Sequence, residues 1–136
     1  MKPIVGDEIG ELLGRVKTIA VVGLSSDSMR PSFSVSQYMQ RKGYRIIPVN
    51  PNESSVLGEK AYSSLFDVPG KIDLVDVFRR PEFVPEVVEQ TISLKIPALW
   101  LQECVIHEAA AKRARDAGLT VVMDRCILKE HRARNL

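Results

Sequence analysis

The chain has 136 residues and a mass of 15.2 kDa, one domain expected over 1–136, and at that length a fold buries roughly 70% of the surface of its unfolded chain without help from disulfides or metals. Hydrophobic residues at 45% and charged residues at 26% exclude a disordered, collagen-like or membrane-spanning chain. The 19 Lys and Arg against 17 Asp and Glu leave a net charge of +2, too even for a protein built around duplex nucleic acid but compatible with a local basic pocket for one phosphorylated small molecule.

In chain order, a helix is expected around residues 7–15, followed by TIAVVG at 18–23. This continuous run has no polar alternation, as in a strand buried on both faces. A helix at 34–42 follows, with Val35, Tyr38 and Met39 sharing a face and Gly43 at its end. RIIPVN at 45–50 is a second strand, expected to be short or bulged because Pro48 cannot donate to a ladder. A short extra strand is expected near 59–62, and DLVDVF at 73–78 is the third long run. Pro81 opens a helix carrying Val84, Val87, Val88, Thr91 and Ile92 on one stripe. ALWLQ at 98–102 is a strand in which Trp100 reads as core. A helix at 107–117 stops at Gly118, and LTVVMD at 119–124 is the last strand. The tail from Leu128 and the first helix are expected to cover the sheet edges. Strands alternating with helices imply βαβ units. The fold class is therefore α/β, a doubly wound, Rossmann-like sandwich with a mainly parallel sheet of five or six strands.

Ligands of such folds bind beyond the carboxyl ends of the strands. The first of these loops starts at Gly23 and runs through Leu24, Ser25, Ser26 and Arg30 to Ser32 and Ser34 at a helix start. A sharp turn, hydroxyl groups, helix amides and a planar guanidinium together suit a phosphate. The glycines of G-x-G-x-x-G are absent after Gly23, and no G-K-[ST] occurs. Asn50 stands where an NAD site wants an acid, and Glu53 lies past Pro51. These features point to a phosphorylated adenosine compound other than NAD. Arg79 and Arg80 directly follow a strand and can neutralise phosphates, while Phe78 or Val84 can flank an adenine ring. Gln102 can offer a donor and an acceptor to an amide-rich ligand.

Chemistry-bearing constellations are sparse. Cys104 and His107 are a possible thiolate pair, or equally a small loop residue and a helix-start residue. Cys126 reads as a buried thiol near the site, and His131, in a basic tail, as solvated surface. Two cysteines are too few for a secreted disulfide scaffold. Charges at Asp7, Glu8, Glu11, Arg15 and Lys17 exclude a signal peptide, and no apolar stretch approaches the roughly 20 residues of a membrane helix. A cytoplasmic location is expected.

The segments VVGLSSDSMRPSFSVSQYM, GYRIIPVNPNE, VLGEKAY, IDLVDVFRRPEFVPEVV, WLQECVIHEAAAKRARDAGLTVVMDRCI and KEHR resemble, in order, the small single-domain CoA-binding protein family. That family is similar to the CoA-binding domain of the succinate–CoA ligase alpha subunit. The resemblance implies a Rossmann-like fold with coenzyme A across the carboxyl edge. It places Gly23, Leu24, Ser25, Arg30, Ser32, Asn50, Pro51, Phe78, Arg79, Arg80 and Gln102 around the ligand. The family pattern usually has glycine where this chain has Cys104, so a thiol is expected beside the pantetheine arm. Glu53 stands where the ligase carries a lysine. The ligase's other domains, with their phosphorylated histidine, have no counterpart here, so its activity is not transferred. The resulting expectation is a non-catalytic or regulatory module that binds coenzyme A or an acyl-CoA, with neither nucleic acid nor membrane as partner. The alternatives are a small NAD(P)-dependent oxidoreductase and a thiol-based enzyme or redox sensor using Cys104 or Cys126.

Overall fold

The computed structural model describes residues 7–136; the first six residues of the expected domain lie outside them. The elements run α1 (Glu8–Arg15), β1 (Thr18–Val22), α2 (Pro31–Arg41), β2 (Arg45–Val49), β3 (Ser55–Val56), β4 (Glu59–Lys60), β5 (Leu74–Val77), α3 (Val84–Ser93), β6 (Ala98–Leu101), α4 (Glu108–Asp116), β7 (Thr120–Met123) and α5 (Ile127–Ala133). Short 3-10 turns occupy Leu65–Asp67 and Pro81–Phe83. Five strands form a parallel sheet in the order β2-β1-β5-β6-β7. This is the doubly wound, Rossmann-like arrangement that the alternating pattern implied.

The period-2 geometry of β1 divides the interior into two layers. Ile19 and Val21 point to one core with Leu12, Leu13, Val35, Met39, Trp100 and Ile127. Ala20 and Val22 point to the other, with Val75, Val77, Val84, Val87, Val88, Leu99, Ala110 and Ala114. Thus α1, α2 and α5 cover one face, and α3 and α4 the other. The first and last helices therefore lie on a face of the sheet, where the sequence placed them at its edges. Their buried Leu12, Leu13 and Ile127 belong to the core of that face, and a clasp links the start of α1 to the end of α5. The Arg134 guanidinium donates to both carboxyl oxygens of Asp7, from Nε at 2.9 Å and Nη2 at 3.0 Å. Asp7 also caps α1 by accepting from the Gly10 amide, and these bonds hold its carboxyl below the usual carboxylate range.

Two local expectations change. Helix α2 begins at Pro31, three residues before the expected start, because proline suits the first helical position, where its missing N–H has no partner to lose. Strand β2 passes through Pro48 without a bulge, with Pro48 paired to Val21. It is an outer strand, and the Pro48 carbonyl accepts from the Tyr62 amide on the side away from β1. The missing N–H therefore faces outward, where no ladder bond is lost. The extra strand near 59–62 appears as β4, paired antiparallel with β3, and Tyr62 bridges to Val49.

His131 is not solvated surface. It is 3% exposed, and the Tyr38 hydroxyl lies 2.9 Å from Nδ1. The rings of Tyr38 and Tyr44 meet His131 edge-on. Burial lowers its pKa.

Candidate functional site

Strand β1 sits at the point where the chain turns from one half of the sheet to the other, and its carboxyl end opens between two loops. Gly23 has φ +91°, and an added Cβ would strike the Phe78 carbonyl oxygen. Only glycine lets the first loop pass this close to the loop after β5. Beyond this contact lie two cavities. One, of about 470 Å³, is lined by Gly23, Ser25, Arg30, Ser32, Phe78, Arg79, Arg80, Gln102, Glu103, Cys104 and Cys126, among others. The second, of about 530 Å³, lies toward β2, where Asn50, Pro51, Asn52 and Phe83 join Gly23, Arg30, Phe78, Arg79 and Arg80. The five shared residues make the two cavities one groove along the carboxyl edge.

The first loop is braced internally. The Ser32 hydroxyl accepts from the Ser25 amide at 3.1 Å, and Ser25 Oγ accepts from the Asp27 amide at 3.0 Å. Glu53 Oε2 accepts from the Ser26 amide at 2.7 Å and so closes the loop. Asn50 donates from Nδ2 to the Leu24 carbonyl at 3.1 Å and accepts from the Asn52 amide at 2.9 Å. Its side chain thus ties the loop after β2 to the loop after β1.

Three guanidinium groups converge on the groove. Arg30 is exposed, with Asp27 at 3.9 Å. Arg80 is exposed, with Glu82 at 3.6 Å. The Arg79 guanidinium lies 4.1 Å from the centre of the Phe83 ring. Such stacking fixes a planar cation at little entropic cost.

Of the expected site residues, the structure gathers Gly23, Ser25, Arg30, Ser32, Asn50, Pro51, Phe78, Arg79, Arg80, Gln102 and Cys104 along the groove. It does not bring Leu24 or Val84 to it. Leu24 is fully buried in the core under α2, and Val84 is fully buried in the opposite core. Phe83, one residue earlier, reaches the groove and joins Phe78 there. Phe83 was not among the expected site residues, although it lies only three positions beyond Arg80. Trp100 is core, and its Nε1 donates to the Arg125 carbonyl at 2.8 Å.

Gln102 lines the groove but is only 3% exposed. Its Nε2 donates to Asp76 Oδ1 at 2.6 Å, and its Oε1 accepts from the Ile127 amide at 3.4 Å. The amide thus satisfies protein groups at both ends. Burial pushes the Asp76 carboxyl up to about 7, and the bond from Gln102 lowers it only in part.

Cys104 is exposed on the groove and has φ +68°, a left-handed conformation that favours glycine. Its amide donates to Asp124 Oδ1 at 2.8 Å, which holds this turn against the end of β7. Cys126 is buried yet lines the same cavity. His107 caps α4, with Nδ1 accepting from the Ala110 amide at 3.1 Å.

The sequence profile described as "CoA binding domain" matches residues 17–132. An uncharacterised protein of Bacillus subtilis, YneT, is 48% identical over 124 residues, covering 91% of this chain and 92% of its own. A solved structure of a hypothetical protein from Pyrococcus horikoshii is 40% identical, covers 98% of this chain and 96% of its own, and superposes with a TM-score of 0.91. The ADP-forming acetate–CoA ligase II of Archaeoglobus fulgidus is 33% identical over 76 residues, which are 54% of this chain but 11% of the ligase. With a profile match over most of its length, the chain belongs to the CoA-binding domain family.

Proposed function

We propose that this protein binds coenzyme A or an acyl-CoA in the groove at the carboxyl edge of the sheet, as a non-catalytic or regulatory module. One observation carries the reading. Arg30, Arg79 and Arg80 line both cavities, so a ligand laid along the groove meets guanidinium groups at its centre. The phosphates of an adenosine bisphosphate would replace the exposed carboxylates Asp27 and Glu82 as partners. The adenosine end lies toward Asn50, Pro51 and Phe83, and the pantetheine arm toward Cys104 and Cys126. The family match and the relation to an acetate–CoA ligase support the same ligand. Calorimetry with coenzyme A and NADPH side by side tests the proposal. Binding of coenzyme A alone is expected; binding of NADPH alone would overturn it.

Arg30→Ala is expected to weaken binding by about 1 to 3 kcal/mol. Equal losses for coenzyme A and dephospho-coenzyme A would place Arg30 on the pyrophosphate. A loss confined to coenzyme A would place it on the 3′-phosphate. No loss for either would remove it from the site.

Cys104 lines the pantetheine end without acting as a nucleophile. A reactive thiolate needs a cation or base beside it. Lys129 is paired with the neighbouring Glu103, and the Nδ1 of His107 is engaged as a helix cap. Cys104→Gly is expected to keep or slightly improve affinity for coenzyme A. Stability should change by less than about 1 kcal/mol, because relief of the left-handed strain and the added freedom of the unfolded chain offset each other. Titration of both proteins, with intact-mass measurement after incubation with oxidised coenzyme A, checks this. A stoichiometric adduct on native Cys104, formed faster than on free cysteine, contradicts it.

A further inference from the structure

We propose that Asp76 is a positioning residue for the thiol end of the groove: its carboxyl fixes the Gln102 amide, and through it the start of α5 that carries Cys126. The inference rests on the coenzyme A reading of the groove.

Asp76 is one of two acids in the DLVDVF run, and it is the one placed within a strand buried on both sides, at 2% exposure. The Ile127 amide only donates, so Gln102 must turn Oε1 toward it and Nε2 toward Asp76, whose Oδ1 accepts whether or not the carboxyl is ionised. Removing the acceptor at position 76 leaves the amide unsatisfied at one end and free to turn. Turning would set Nε2 against the Ile127 N–H, donor to donor. The segment at stake is short. Trp100 holds the Arg125 carbonyl and Gln102 holds the Ile127 amide, so Cys126 is pinned from both sides. Gln102, Cys104 and Cys126 wall the same cavity.

Among the described residues, few other groups act on Asp76. Its sheet neighbours β1 and β6 carry no titratable side chain. On the covering helices, Tyr38 of α2 is bonded to His131 of α5, Lys129 to Glu103, and Glu130 to Arg134 and Arg125. Glu8, Glu11 and Arg15 of α1, Arg41 of α2 and Arg132 of α5 are exposed, and Cys126 stands at the start of α5.

The test compares coenzyme A with adenosine 3′,5′-bisphosphate, which lacks the pantetheine arm. Asp76→Leu is expected to raise the Kd for coenzyme A by about tenfold, since a buried donor loses its acceptor, and to leave that for the bisphosphate within about twofold. Asp76→Asn keeps a carbonyl oxygen facing Gln102 and is expected to restore near-native affinity. Equal effects on both ligands, or none, would overturn the proposal. A second measurement needs no ligand and no leucine variant. In the native protein the NMR resonances of the Gln102 side-chain amide and the Ile127 backbone amide should shift together with pH, through one midpoint near neutrality. In Asp76→Asn that shared transition should vanish. Resonances indifferent to Asp76 would sink this inference, whereas failure of the native protein to bind coenzyme A would sink the reading of the groove.

Discussion

Replacing Arg79 and Arg80 together by alanine is expected to weaken coenzyme A binding by about 2 to 4 kcal/mol, roughly 30- to 1000-fold. Charge-assisted hydrogen bonds contribute about 1.5 to 3 kcal/mol each, and neighbours on one ligand do not add. The two arginines should differ. Arg79 rests on the Phe83 ring, so its guanidinium is already oriented before any phosphate arrives. Arg80 is exposed and must be drawn from Glu82. Arg79→Ala alone should therefore cost more than Arg80→Ala alone. Arg79→Lys should recover only part of the loss, because an ammonium keeps the charge but not the planar stack. The Arg80 head group lies in solvent and Arg79 gives up only its stack on Phe83, so the double variant should unfold at close to the native temperature. Calorimetry on that folded variant decides the matter, and unchanged affinity would remove both residues from the site.

Much of this groove was legible because each of its loops follows a run that reads plainly as a buried strand. TIAVVG, DLVDVF and ALWLQ lack polar alternation over most of their length, and β1, β5 and β6 fall within them. Once a parallel sheet is assumed, Gly23, Phe78, Arg79, Arg80 and Gln102 are placed at one edge by counting. What failed was the direction of individual side chains. Val84 follows the arginines in sequence, but it opens the stripe that continues through Val87 and Val88 into the core. Helical period places it inward, and Phe83, one step earlier, turns to the groove. His131 was misread for a related reason. Its neighbours Lys129, Glu130 and Arg132 are charged, but it lies four residues after Ile127, on the face of α5 that packs inward. Gln102 sits where expected, yet what its amide bonds to depends on Asp76 and Ile127, each 25 or 26 residues away in the chain. No local pattern reports a contact of that span.

The largest effect on stability is expected from Asp76, and its sign is unusual for a carboxylate. In the unfolded chain Asp76 titrates near 4; in the folded protein burial raises it to about 7. Between these values the native state binds a proton that the unfolded state does not. Stability must therefore fall as pH rises through this window, then level off above it. From pH 5 to pH 8 the loss attributable to Asp76 is expected to be on the order of 3 kcal/mol, since a tenfold difference in proton affinity between the two states corresponds to about 1.4 kcal/mol. His131 works in the opposite sense. Its pKa is lowered by burial and by the charge of Lys42, so the unfolded chain takes up a proton that the native protein refuses. Its contribution is lost as pH falls through the usual histidine range, near 6.5. The native profile is the difference of the two, and a single curve does not separate them. Asp76→Asn does, because the amide cannot ionise yet keeps an oxygen for Gln102. Urea denaturation of both proteins at pH 5, 6, 7 and 8 should give a native-minus-variant difference that declines steadily across the series. What remains in the variant should rise with pH, as His131 requires. A difference that stays level from pH 5 to 8 would mean that Asp76 is ionised throughout and that water reaches its carboxyl in the folded protein.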